Sequence, residues 1–165
     1  GNPHYWLNPA NGKVIARQIR DRLIQLDPSN KATYSANYSS FSRDLDKRIS
    51  IWKKALKSLK KDKFVSYHKV WSYFFDAFGL DSVGELEPFP GVPPTTKHLY
   101  QLKQALKQTD KKVHIITANF YPTHFGKQFA QSVNGSFYML SSNVGGLGVE
   151  SYFDLFDQIV EKLTK

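Results

Sequence analysis

Two apolar stripes of helical period stand back to back at the start of this chain, and they leave few folds open. Val14, Ile15, Ile19, Leu23 and Leu26 recur at the steps of one helix face. This predicts a helix over residues 10–26, stopped by Asp27-Pro28. Tyr34, Tyr38, Phe41, Leu45, Ile49, Trp52, Leu56 and Leu59 follow, with spacings that alternate between four and three. That keeps a second stripe on one face and predicts a longer helix over 29–60.

After residue 60 the period changes. Residues 64–68, 82–87, 113–117 and 136–140 read as four short strands. Between them lie helical stretches at 70–78, 98–107 and 122–132, and 151–163 closes the chain as an amphipathic helix. Gly79 is a plausible C-cap. A threonine of the proline loop PGVPPTT (90–96) suits the N-cap of the next helix, and Pro122 suits a first turn. Strands alternating with helices predict an α/β layer with a mostly parallel, four-stranded sheet. Ligands in such sheets sit at the carboxyl ends of strands. His68, the Ala118-Asn119-Phe120-Tyr121 stretch and Ser141-Ser142-Asn143 all fall there.

Composition narrows the chemistry. The 165 residues are 41% hydrophobic and 15% aromatic, enough for one domain with a packed core. There is no cysteine, so disulfides, thiolate metal sites and cysteine nucleophiles are excluded. A metal here would need His, Asp, Glu or other oxygen ligands. No apolar run approaches the length of a membrane span, and the start shows no signal-peptide pattern.

The net charge is +9, which raises anionic partners. The densest basic run, KKALKSLKKDK (53–63), interleaves lysines with Leu56 and Leu59 and reads as a solvated helix face. Lysine dominates and no nucleic-acid motif is present, so nucleic acid is not expected. VGGLG (144–148) is not followed by Lys-Ser/Thr and forms no GxGxxG; it reads as a flexible loop or a lid. GxSxG is absent, so a serine hydrolase is not expected. Asp154 and Asp157 read as solvated or capping charges. Trp6, Trp71, Tyr73 and Phe74 read as core or, if exposed, as a docking face.

Five histidines remain: His4, His68, His98, His114 and His124. No HExxH or HxH pair exists. His98, His114 and His124 read as structural hydrogen-bonding residues. His4 and His68 differ in their company. NPHYWLNP (2–9) before a helix resembles the (D/N)PHxWxxP segment of the zinc- and manganese-binding substrate-binding proteins of bacterial ABC importers. LDPSNKATYSANYSSF (26–41) resembles their LxPxNxxxYxxNxxxF stretch, and VSYHKVWSYFFDAFGL (65–80) their VxxHxxxxYFxxxxGL stretch. The likeness runs on through the proline loop to SYFDLFDQIVEKL (151–163).

That resemblance implies two α/β lobes joined by a rigid helix, with metal between them. It implies that residues 1–27 are the end of the first lobe and the linking helix, and 28–165 the C-terminal lobe. The N-terminal lobe would be missing, and the apolar face so exposed could drive dimerisation. His4 and His68 match the family's metal-binding histidines. Glu85 and Glu87 are candidates to accept the second imidazole N–H or to ligate directly. One departure stands out. Where the family places an aspartate, this chain has Ser142-Asn143, a weaker substitute; where many members carry Glu, it has Ala118-Asn119. Imidazoles without a carboxylate favour Zn2+ over Mn2+. The expected role is metal capture, without catalysis, in the periplasm or at the outer face of the membrane, for delivery to an ABC permease. The alternatives are an adhesion module of the same fold without metal and a basic polyanion-binding domain.

Overall fold

A computed structural model describes residues 1–107 and 110–165. Helices α1 (Pro9–Leu26) and α2 (Lys31–Ala55) form an antiparallel hairpin across a turn at 28–30. The α/β part follows: β1 (Lys63–Ser66), α3 (Ser72–Phe78), β2 (Asp81–Glu85), α4 (Thr96–Lys107), β3 (Val113–Ala118), α5 (Thr123–Ser132), β4 (Ser136–Leu140) and α6 (Tyr152–Thr164). The four strands are all parallel, in the order β2-β1-β3-β4.

Alternation along the central strands divides the core. Phe64 and Ile116 face a layer built by α2, α3 and α6, with Trp52, Phe74 and Phe156 at its centre. Val65 and Ile115 face α4 and α5 through Leu102, Leu106 and Phe129. All six residues of β3 are buried, as a strand covered on both faces requires. The caps follow the local chemistry. Gly79 ends α3 at φ 64° and ψ 41°, a backbone state that costs glycine little. Thr95 Oγ1 accepts the His98 N–H at the start of α4. Pro122 stands just ahead of α5 as its cap residue instead of within the first turn.

Two further expectations need correction. The predicted 29–60 helix divides: α2 ends at Ala55 and a 3₁₀ stretch, Leu56–Lys61, carries the stripe on. Leu56 and Leu59 are three apart, the 3₁₀ period, so the apolar face survives the change of helix. Second, Asp157 is not a free charge. It accepts the indole N–H of buried Trp52 at 2.7 Å and pairs with Arg48, tying α2 to α6; a buried indole N–H needs such an acceptor. The α1 stripe is left largely uncovered. Only Pro9 and Gly12 of α1 are buried, while Ile19 is 55% and Leu26 66% exposed. By contrast α2 buries Leu45 and Trp52 in the lobe, while its first turns lie against α1. It therefore runs from the hairpin into the lobe, about 37 Å at 1.5 Å per residue.

Candidate metal centre

His4 stands where the chain enters a 3₁₀ turn, Tyr5–Leu7, just before α1. Asn2 shapes that entry. Its Oδ1 accepts the His4 backbone N–H at 3.0 Å and lies 2.7 Å from His4 Nδ1. Its Nδ2 donates to the Lys69 carbonyl at 2.7 Å, which fixes which end of the amide is oxygen. The oxygen can only accept, so His4 Nδ1 carries the proton and Nε2 keeps its lone pair. The rest of the segment is stapled to the lobe. Trp6 Nε1 donates to the Ser142 carbonyl, 2.8 Å, and Tyr152 Oη donates to the Trp6 carbonyl, 2.7 Å.

His68 follows β1, and the ladder continues past the strand ends. Tyr67 N–H donates to Ile116 O, Leu86 N–H to Ser66 O and Glu87 N–H to Tyr67 O. This brings Glu87 level with His68, and Glu87 Oε2 lies 2.5 Å from His68 Nδ1. The Glu87 side chain is only 7% exposed. A carboxylate accepts, so His68 Nδ1 donates, which leaves Nε2 as the ring nitrogen open to a ligand. Tyr121 packs against the His68 ring, centroids 5.3 Å apart.

The two imidazoles meet. Their centroids are 6.3 Å apart and the rings nearly perpendicular. Burial first, and then the neighbouring His68, push the His4 pKa below its usual value, which favours the neutral, ligating form. Two imidazole rings thus stand together at the carboxyl ends of the strands, each with its Nδ1 held by an acceptor. Borderline-soft donors of this kind suit Zn2+ better than Mn2+.

The other candidates are placed differently. The Glu85 carbonyl accepts from His98 Nε2 at 2.8 Å, and Glu85 lines a pocket of about 180 Å³ beside His68 and Glu87. Ser142 is fully buried; its carbonyl holds Trp6, and its hydroxyl has no hydrogen-bond partner among the described residues. Asn143 is exposed and lines an apolar cleft along α1. No group of three or more His, Asp or Glu positioned for a metal exists among the described residues. His114 is buried between Asp62 and Tyr138, and exposed His124 lies against Phe125. The VGGLG loop closes on itself through Gly145 N–H to Val149 O and Val149 N–H to Gly146 O. Sequence reasoning gave no role to Asn2 and placed Tyr121 only within a strand-end stretch. For Asn2 the signal was available, since Asn two residues before a turn commonly accepts a backbone N–H.

The family model described as "Zinc-uptake complex component A periplasmic", ZnuA, matches residues 1–165. The chain belongs to the ZnuA family. A curated ZnuA relative, the high-affinity zinc uptake system protein of Brucella abortus (strain 2308), is 30% identical over 104 residues, 63% of this chain and 31% of that protein. The chain thus matches about a third of the length of such relatives. A crystal structure of ZnuA superposes with a TM-score of 0.85 at 24% identity, covering 99% of this chain and 61% of that one. A mutant structure of the laminin-binding adhesin Lmb from Streptococcus agalactiae gives 0.85 at 22%, over 99% and 62%. Both likenesses establish the fold: a ZnuA-type α/β lobe with its helical hairpin.

Proposed function

We propose that this chain forms the second-lobe part of an extracytoplasmic substrate-binding protein of an ABC importer. It captures Zn2+ as cargo, with Mn2+ as the less favoured ion, and passes it to a membrane permease. The observation that carries this reading is the pair of open Nε2 atoms on His4 and His68, with the two Nδ1 atoms engaged by Asn2 and Glu87. Two imidazoles sharing a tetrahedral Zn2+ at about 2.0–2.1 Å per nitrogen have centroids roughly 5 Å apart. At 6.3 Å the rings stand roughly 1 Å beyond that spacing.

In this reading residues 1–27 carry the end of the first lobe and the linking helix, with α2 extending the rigid connection, and 28–165 form the second lobe. The remaining ligands come from the first lobe or from water. Ser142 occupies the position where the resemblance expects an acid, and its unpartnered hydroxyl contributes at most a weak donor. No bond of the cargo is made or broken beyond coordination, so no catalytic residue is assigned. The site belongs on the outer side of the cytoplasmic membrane.

Native mass spectrometry of the chain with added Zn2+ tests this, beside His4→Ala, His68→Ala. Zinc retained by the parent, by one chain or shared between two, and lost in the double variant is the expected result. Absence of zinc from both overturns it. The serine in place of the acid favours a second reading, an adhesion module of the same fold without metal. For that reading the double variant keeps the parent's ligand binding and melting temperature with and without zinc.

A further inference from the structure

Tyr121 belongs to neither core layer alone. Among the described residues it is the partly buried aromatic that packs against both, the side of α2, α3 and α6 and the side of α4 and α5. It sits at the carboxyl end of the sheet, where the chain leaves β3, and the backbone there has little freedom. Asn119 N–H donates to Leu140 O at 3.0 Å and carries the β3–β4 ladder one step past the strand. Tyr121 N–H donates to Ala118 O at 3.0 Å and closes a tight turn. Pro122 follows at φ −59°, and the residue before a proline is confined to extended backbone. The turn and the proline together aim the Tyr121 ring.

That ring packs on three others. Its centroid lies 5.3 Å from His68, 5.0 Å from Tyr67 and 4.7 Å from Phe120. The Tyr121 and His68 planes are only 35° apart, so the two rings meet more face to face than edge to face. The bond to Glu87 fixes one atom of the His68 ring, Nδ1. By itself it leaves the imidazole plane free to swing about that bond. A second ring laid along the imidazole removes the swing and gives Nε2 a fixed direction, and ligands serve a metal best when their orientation is held in advance.

We infer that Tyr121 is a positioning residue of the metal centre: its ring holds the plane of the His68 imidazole while Glu87 holds Nδ1. Its purpose rests on the zinc reading above; the ring geometry stands without it. Where the resemblance expects a carboxylate donor, at Ala118-Asn119, the end of β3 brings an aromatic ring to the site instead. Burial first, and then Glu87 and Tyr67, push the Tyr121 hydroxyl pKa above its usual value, so the phenol stays neutral.

Two measurements test this, one of them without metal. In the metal-free chain the proton on His68 Nδ1, assigned by its loss in His68→Ala, gives a sharp NMR resonance in the parent and in Tyr121→Phe. In Tyr121→Leu exchange broadens it. In a zinc competition titration Tyr121→Leu binds about tenfold more weakly, and Tyr121→Phe stays within about twofold of the parent. Phe125→Leu is the packing control, since Phe125 lies against Tyr67 in the same cluster. It lowers the melting temperature and leaves both readouts at the parent's values. A sharp resonance with parental zinc affinity in Tyr121→Leu overturns the proposal. So does equal zinc loss in Tyr121→Phe, which makes the hydroxyl the acting group, or in Phe125→Leu, which makes the effect general loosening. Zinc absent from the parent overturns the capture reading instead, and the resonance then decides this one.

Discussion

Asn2, half-buried beside His4, holds the candidate centre together. One amide fixes the His4 tautomer and ties the His4 segment to the Lys69 carbonyl, next to His68. Outer partners of this kind commonly change metal affinity by about ten- to a hundredfold when removed. Asn2→Ala is therefore expected to weaken zinc binding by that factor in a competition titration, with the melting temperature nearly unchanged. Ser142 makes a different case. Its buried hydroxyl is unpartnered, so Ser142→Ala is expected to hold or raise stability in urea, by up to about 1 kcal/mol. Asp27, in the hairpin turn, carries the pH dependence. Hydrogen bonds from Ser29, Asn30 and Tyr34 hold its pKa down to about 2. A carboxyl lowered on folding stabilises the protein above its unfolded pKa and loses that contribution as pH falls. The hairpin's contribution should fade from about pH 4 down to about pH 2. Asp27→Asn should remove that part of the acid transition, read by circular dichroism.

At the scale of elements, the seam between α1 and α6 decides where the first histidine sits. Gly12 lets the helix approach Tyr152: an added Cβ would lie 2.6 Å from Tyr152 Cε1. The same tyrosine donates to the Trp6 carbonyl, and burial pushes its hydroxyl pKa far up. Gly12→Ala gains some helix propensity, about 1 kcal/mol, but must displace that ring, at about 1–3 kcal/mol for overpacking. The expected net result is a lower melting temperature together with weaker zinc binding, because α1 and His4 move as one body. Element boundaries were largely legible in the sequence, within a few residues for every strand. The exception, the α2 end, was hidden because Leu56 and Leu59 satisfy both helical periods.

The whole molecule presents an apolar face that its own chain leaves open. Trp6, Ile15, Ile19, Phe41, Val144 and Leu155 line a cleft of about 490 Å³ along α1, beside exposed Leu23 and Leu26. Faces of this kind associate. Analytical ultracentrifugation should show concentration-dependent self-association, suppressed by Ile19→Lys without a change in melting temperature. Periodicity and spacing alone determined the two-helix start, the parallel α/β layer and the elements that bear His4 and His68; the resemblance of the surrounding motifs singled those two histidines out. These are local properties, written in neighbouring residues. Only the tertiary structure decided the rest. Glu85 and Glu87 share one parity along a strand, and only the β1–β2 pairing, with its register shift between Phe64 and Val65, sets Glu87 beside His68. Likewise, helical periodicity says which face of α1 is apolar and nothing about what covers it. The pairing of β1 with β3 sets Lys63 level with Val113. Each of these depends on contacts between residues far apart in the chain, which no local pattern encodes.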